Sequence, residues 1–174
     1  MPLENIIRRD VISISVNGTM KEAANLMHQN HVGMIVVLGK SHGIRKIPVG
    51  ILTDRDIVKS IAQSDNFNPN CLVADIMNPN IFMCGPDDGI YDTIRKMNKN
   101  GIRRIPVVNK KENLVGIVAS DDLIKLLSEE LSELSQIIPN NSDIKRDVSK
   151  ISETQKRVGK SHTRPVSSRS ILFK

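Results

Sequence analysis

The spacing of apolar residues changes twice within the first 65 positions of the chain. After a short apolar stretch at 11–15, "TMKEAANLMHQN" places apolar residues three and four apart, which predicts a helix with one buried face. "HVGMIVVLG" and "IPVGILT" then read as strands, and "DRDIVKSIAQ" at 54–63 predicts a closing helix. The pattern therefore predicts a β-α-β-β-α unit.

The same order of elements returns later in the chain. A strand is predicted at 81–84, a helix over "GIYDTIRKMNKN", two strands over "GIRRIPVVN" and "NLVGIVA", and a last helix at 121–136. "GILTDRDI" at 50–57 aligns with "GIVASDDL" at 116–123. Repetition of a whole unit predicts two similar folds in tandem.

The two units set the expected fold class and domain boundaries. We predict an α/β (α+β) protein with one unit at 5–65 and a second at 70–136. A unit of this size buries little surface alone, so the two are expected to pack through their sheets as a pseudo-twofold pair. Asn17 and the Asp87-Asp88 pair precede the first helix of each unit and are candidate helix caps.

Charge is concentrated in the last part of the chain. The net charge is +6, and residues 140–174 hold nine Lys or Arg against three Asp or Glu, so the rest of the chain is neutral. The segment is polar and only weakly periodic, which predicts a flexible or loosely helical tail. Two interpretations stay open: a solvated tail, or one that binds an acidic partner such as RNA or DNA.

Composition narrows the classes of function. Aromatic residues make up 2% of the chain, which argues against modules that stack nucleic-acid bases. The two cysteines form no metal-binding spacing and are expected to be reduced, and the histidines near His31 are expected to lie at the surface without a metal. No nucleophile, phosphate-loop or dinucleotide motif is present, so we expect no enzyme and no required cofactor. No apolar run is long enough to span a membrane, which predicts a cytoplasmic protein.

Thr53 and Asp56 stand where a strand turns into a helix. A Thr before a helix with an acid three residues later can form a capping box, and this explains both residues without a ligand. A carboxylate at a helix start can also hold the two hydroxyls of a ribose, and a Thr hydroxyl can add a further bond. Arg103 and Arg104, adjacent in a predicted strand, point to opposite faces of it and could supply cations for a phosphate. Spacing alone leaves capping and ligand binding open.

The duplicated unit, its "GILTDRDI" and "GIVASDDL" endings, "ADIMNPN" and "GIRRIPVVN" together resemble a tandem pair of CBS domains, the cystathionine-β-synthase-type regulatory modules. The resemblance covers about residues 5–136. It implies a stand-alone regulatory module that binds AMP, ADP or ATP between its units and signals by a conformational change. It also implies a homodimer of pairs, with a further protein partner possible. S-adenosylmethionine or methylthioadenosine is the alternative ligand, and nucleic-acid association through the tail is the alternative function.

The resemblance also implies roles for individual residues. Thr53 and Asp56 would hold the ribose, and Arg103 and Arg104 of the other unit would hold the phosphates. The remaining nucleotide-binding candidates are Ile51, Ile81 and Ile102, expected to line the adenine pocket, and Arg55 in the same turn.

A second, weaker site is expected at the corresponding turn of the second unit. Asp122 matches Asp56, but Ala119 replaces the Thr, and Ser120 is the substitute hydroxyl. Gly33 and Met34 stand where the other copy has its two arginines. Loss of hydrogen bonds to charged groups, each worth about 1.5–3 kcal/mol, would weaken phosphate binding there.

Leucines spaced along the last helix form a stripe on one face. This stripe is either packed on the module itself or available for a dimer contact. Its members are Leu123, Leu127, Leu131 and Leu134.

Overall fold

The computed structural model describes residues 3–40, 45–64, 68–137 and Lys150. It is a mixed α/β structure with two sheets, as predicted. The chain divides into two compact units, residues 1–120 and 121–174. The predicted flexible tail at 140–174 lies outside the described residues except for Lys150, which is helical and exposed.

The first repeat has the predicted order of elements. A short 3-10 helix at Leu3–Ile6 precedes it. The strands are β1 (Ser13–Ser15), β2 (Met34–Leu38) and β3 (Pro48–Thr53), and the helices are α1 (Met20–Gln29) and α2 (Asp54–Gln63).

Helix α1 starts at a cap that the sequence analysis did not choose. Thr19, not Asn17, is the cap: its hydroxyl accepts from the Glu22 N–H, and the Glu22 carboxylate accepts from the Thr19 N–H at 2.8 Å. Both unpaired donors at the helix start are thereby satisfied, which is the capping-box arrangement. The prediction of Asn17 was wrong because the helix begins two residues later than the polar cluster suggested.

The first sheet has the order β1-β2-β3. β1 pairs parallel with β2 through Ile14 and Val37, and β2 pairs antiparallel with β3 so that Met34 faces Thr53. This register places the start of β2 beside the turn that follows β3.

The second repeat repeats the hairpin but not the full sheet. A four-residue helix α3 (Val73–Ile76) lies between the repeats, followed by α4 (Ile90–Asn100), β4 (Arg104–Val108), β5 (Leu114–Ala119) and α5 (Ser120–Ile137). Gly89 caps α4 without a side-chain hydrogen bond, so the prediction of Asp87-Asp88 as its cap was wrong.

The strand predicted at 81–84 is reduced to one bridge. Cys84 pairs parallel with Val107, and its N–H donates to the Pro106 carbonyl at 3.1 Å. Among the described residues, the pairing of this segment does not extend into a strand of several residues. In the first repeat the corresponding N–H, that of Val36, donates to the Ile12 carbonyl. Pro106 has no N–H, so this ladder bond cannot form in the second repeat.

The segments that lead into each repeat pair with the other repeat. Arg8 bridges antiparallel to Ile117 of β5, and Asn78 bridges antiparallel to Ile51 of β3. Each crossing passes over a glycine. A Cβ added to Gly116 would overlap Ile7 Cγ2, and one added to Gly50 would lie 2.6 Å from Met77 Sδ. This exchange ties the two repeats together within residues 1–120.

The core of the first repeat is aliphatic and methionine-rich, as the composition requires. Ala23, Ile35, Val37, Leu52 and Val73 are fully buried. Cys84 is buried and Cys71 half-buried, and both thiols are free. Within the described part of the chain, no helix combines the length and apolar character that crossing a membrane requires.

Candidate functional site

A cleft of about 440 Å³ lies within residues 33–104 and is lined by both repeats. Its volume falls in the range of small-molecule sites, about 300–1,000 Å³. The predicted residues that line it are Ile51, Thr53, Arg55, Asp56, Ile102, Arg103 and Arg104. Seven of the eight proposed nucleotide ligands are therefore brought to one place.

The turn after β3 is both a helix cap and one wall of the cleft. Thr53 Oγ1 accepts from the Asp56 N–H at 3.2 Å, and Asp56 Oδ2 accepts from the Thr53 N–H at 3.0 Å and from its hydroxyl at 2.6 Å. The capping interpretation is thus confirmed in detail. These bonds leave Asp56 Oδ1 without a hydrogen bond to any described residue, and the Thr53 oxygen keeps one lone pair. The cap therefore does not use up the acceptors that a sugar would need.

Helix α2 begins at this wall, so its first N–H groups and the positive end of its dipole lie at the cleft. Asp54 and Arg55 in its first turn are exposed. The Asp54 carboxylate accepts from the Arg55 N–H at 2.7 Å.

Arg103 and Arg104 form the cationic part of the cleft. Both are exposed and both line it. The sequence analysis expected two adjacent residues of one strand, but β4 begins at Arg104, so Arg103 precedes the strand. Together with Arg55 they place three guanidinium groups around one cavity.

The apolar side of the cleft differs from the prediction at one position. Ile51 and Ile102 are half-buried and line the cavity, whereas Ile81 does not belong to its lining. Its neighbour Phe82, 40% exposed, does. An exposed aromatic ring in a cleft offers a flat apolar surface to a planar group. The low aromatic content of the chain could have drawn attention to Phe82, but spacing does not indicate which of two adjacent residues faces the cavity.

Sequence reasoning missed several polar and small residues of the lining. Asn78 and Asn80 belong to the segment that crosses onto β3, and Gly101 ends α4. Gly33 and Met34, which the sequence analysis placed at the second site, line this cleft as well. The pairing of Met34 with Thr53 explains their position.

Gly33 keeps part of the cleft open. The Asp54 N–H donates to its carbonyl at 3.1 Å, and an added Cβ would lie 3.0 Å from Asp54 Oδ2. A side chain here would therefore have to displace the Asp54 carboxylate.

The second proposed site remains a prediction. Ser120 and Asp122 are half-buried, and they fall in different compact units of the chain. The Ser120 N–H donates to the Arg103 carbonyl at 2.8 Å, in the same way as Asp54 donates to Gly33. Arg104 pairs with Ala119 across the β4–β5 hairpin, at the strand end that precedes this turn.

The model of the CBS domain matches residues 3–63 and 73–129, in agreement with the duplicated fold. The chain belongs to the CBS domain family. CBS domains are regulatory modules, and two of them in tandem form a CBS pair.

The relatives of this CBS pair include proteins of similar and of greater length. It is 37% identical over 123 residues to the CBS domain-containing protein YhcV of Bacillus subtilis, covering 70% of this chain and 81% of YhcV. Other curated relatives are longer, and this chain spans between 24% and 60% of their length.

Solved CBS structures share the fold. The CBS domain pair of protein MJ0100, in complex with 5′-methylthioadenosine and S-adenosyl-L-methionine, matches with a TM-score of 0.63 and 28% identity, covering 75% of this chain and 98% of that one. The CBS domain protein PAE2072 of Pyrobaculum aerophilum, complexed with AMP, matches with a TM-score of 0.61 and 27% identity, covering 70% and 89%.

Proposed function

We propose that this CBS pair is a regulatory module that senses AMP, ADP or ATP in the cleft between its repeats. The observation that carries the proposal is the convergence of the Thr53–Asp56 turn of one repeat with Arg103 and Arg104 of the other around one cavity. A nucleotide needs this combination, because its ribose donates hydroxyl hydrogen bonds and its phosphate requires cations.

Charge favours a phosphate over an uncharged or cationic ligand. Three arginines face two carboxylates, Asp54 and Asp56, in the cavity lining. If Asp56 is occupied by ribose hydroxyls, the arginines remain for an anion. Uncharged methylthioadenosine would leave them without a counter-charge, and S-adenosylmethionine, with two cationic groups against one carboxylate, would neutralise them less well than a phosphate, although the MJ0100 pair is described with those ligands.

The cleft also suggests how binding becomes a signal. A nucleotide held by Asp56 and by Arg103 links residues of both repeats, so it favours the arrangement in which these groups are close. We propose that this shift changes the surface shown to a protein partner, and that the module acts as a homodimer without enzymatic activity of its own. The alternative of nucleic-acid binding rests on the tail at 140–174, outside the described residues.

Calorimetric titration of AMP, ATP, adenosine and S-adenosylmethionine into the full chain tests the proposal. We expect AMP to bind at least tenfold tighter than adenosine, since its phosphate adds hydrogen bonds to arginines. Tighter binding of S-adenosylmethionine than of AMP would overturn the ligand class. Binding of none of the four would overturn the function.

A further inference from the structure

The cleft contains a second carboxylate to which neither the helix cap nor the ribose gives a role. Its charged lining consists of three guanidinium groups and two carboxylates, those of Asp54 and Asp56. Asp56 completes the capping box of α2 and is the residue assigned to the ribose. Asp54 instead adds a negative charge to a cleft that should bind an anion, which weakens rather than strengthens the binding of phosphate.

The Asp54 carboxylate is held at the wall of the cleft. Its backbone N–H donates to the Gly33 carbonyl at 3.1 Å, and its Oδ1 accepts from the Arg55 N–H at 2.7 Å. Oδ2 lies against the Gly33 backbone, 3.0 Å from the point where a Cβ on that residue would stand. In the described part of the chain, Asp54 forms no ion pair with any arginine of the lining. Its charge therefore stays fixed and is not neutralised by a neighbour.

The second repeat shows that the fold does not need an acid at this position. There the Ser120 N–H donates to the Arg103 carbonyl at 2.8 Å, as the Asp54 N–H donates to Gly33. An acid in a first helical turn does favour the helix dipole, but Asp56 already supplies one in the first turn of α2. The carboxylate of Asp54 is thus open to a role in selecting the ligand.

We propose that Asp54 restricts the cleft to a nucleoside monophosphate by repelling the further phosphoryl groups of ADP and ATP. This inference rests on the proposed function and narrows its ligand. AMP carries about two negative charges at neutral pH, and each further phosphoryl group adds about one. Because the lining has a surplus of one positive charge, AMP leaves an excess of about one negative charge and ATP an excess of about three.

The size of the cleft keeps a longer phosphate chain within the field of Asp54. A cavity of about 440 Å³ is roughly 10 Å across, which is close to the Debye length of about 8 Å at physiological ionic strength. Salt therefore screens little of the repulsion between the carboxylate and a phosphate bound anywhere in the cleft.

Calorimetric titration of AMP and of ATP into the full chain, with magnesium removed by a chelator, measures the preference. The wild type should bind AMP at least tenfold tighter than ATP. In Asp54→Asn we expect ATP to bind about tenfold tighter than in the wild type and AMP about threefold, because the Coulomb energy scales with the charge of the ligand. Asp54→Glu keeps the charge and should keep the wild-type ratio of affinities. Asp92→Asn, which removes an exposed acid from the first turn of α4 outside the lining, is the matched control and should keep it too.

The ratio of the two affinities separates this role from a structural one. Destabilisation of α2 in Asp54→Asn would weaken both nucleotides together and would leave the ratio unchanged. An unchanged ratio in Asp54→Asn, or tighter binding of ATP than of AMP to the wild type with or without added Mg²⁺, would overturn the inference while the proposed function stands. Binding of neither nucleotide would overturn the proposed function, and this inference with it.

Discussion

The two repeats share a backbone frame but differ in the chemistry placed on it. In the first, the Asp54 N–H donates to the Gly33 carbonyl, and in the second the Ser120 N–H donates to the Arg103 carbonyl. The first turn carries Thr53 with its capping acid, whereas the second has Ala119 in the place of the Thr. The second repeat supplies Arg103 and Arg104 where the first has Gly33 and Met34. Duplication followed by divergence thus leaves the turn that we propose to bind the sugar on one copy and the arginines that we propose to bind the phosphate on the other.

The largest expected effect on this division of roles between the repeats comes from removing the two arginine side chains. Replacing both Arg103 and Arg104 by Ala should weaken AMP binding by about 3–6 kcal/mol, since hydrogen bonds to charged groups contribute about 1.5–3 kcal/mol each. Adenosine binding should not change. Calorimetry on the double variant measures both ligands.

Arg95→Ala is the control for the loss of a positive charge away from the cleft, one guanidinium against the two that the double variant removes. Arg95 lies over the Tyr91 ring at 5.7 Å and is not part of the cleft lining. A weakening of AMP binding in Arg95→Ala as large as in the double variant would show that only net charge matters.

The crossing segments give a second comparison between the repeats. Gly116→Ala should destabilise the protein by about 3 kcal/mol, because its Cβ would overlap Ile7 Cγ2 and lie 2.8 Å from the Arg8 backbone oxygen. Gly50→Ala should cost about 1–2 kcal/mol, because the closest atom is Sδ of the flexible Met77 side chain at 2.6 Å and the nearest backbone atom, the Asn78 oxygen, is at 3.0 Å. Urea unfolding measures both. Gly85→Ala, whose nearest atom would be Asp88 Oδ1 at 3.4 Å, should be nearly neutral. Equal losses at Gly116 and Gly85 would contradict the close crossing.

Cys84 occupies in the second repeat the position that Ile14 has in the first. Of these two side chains, only the Cys84 thiol can ionise. Burial, and secondarily the negative charge of Asp88, raise the pKa of Cys84 from 9.0 to about 11. Between these values the unfolded chain loses this proton while the folded chain keeps it, so stability should fall as pH rises, by about 1.4 kcal/mol per pH unit. Urea midpoints at pH 8 and pH 10 should differ less in Cys84→Val than in the wild type. Cys71→Ala is the control, and an unchanged pH dependence in Cys84→Val would contradict the assignment.

The smallest expected effect concerns the ends of the first helices. His31 has φ +52° and Gly101, at the corresponding position, has φ +62°. This left-handed conformation is strained for a residue with a Cβ. His31→Gly should therefore stabilise the protein by up to about 1 kcal/mol, and Gly101→Ala should destabilise it by a similar amount. Thermal unfolding measures both, and a loss of stability in His31→Gly would show that the imidazole compensates for the strain.

The sequence was most informative where local patterns decide the structure. Helix α2 has the predicted bounds, 54–63, because a capping box and one apolar face define it. The hydrogen bonds of the Thr53–Asp56 turn could be predicted as well, because they belong to that capping box. The strand predicted at 81–84 does not form, because one of its ladder hydrogen bonds would need an N–H from Pro106, more than twenty residues away, and proline has none.

The pairing of segments that are far apart in the chain could not be predicted from the sequence. The bridge from Arg8 to Ile117 joins segments with no shared local pattern, and the bridge from Asn78 to Ile51 brings an unpredicted loop to the cleft. Phe82 and Asn80 line the cavity for that reason, and Ile81 does not. Which of several adjacent side chains reaches a cavity is decided by this crossing rather than by their own spacing.

The most direct test of the account compares two variants that lose the same kind of helix cap. Asp56→Ala and Glu22→Ala each remove the acid of a capping box, so each should cost roughly 1 kcal/mol of stability. Only Asp56 lines the cleft. Calorimetric titration of AMP should give undetectable or at least tenfold weaker binding in Asp56→Ala and wild-type affinity in Glu22→Ala. Equal affinity in the two variants would reduce Asp56 to a helix cap and contradict the proposed site.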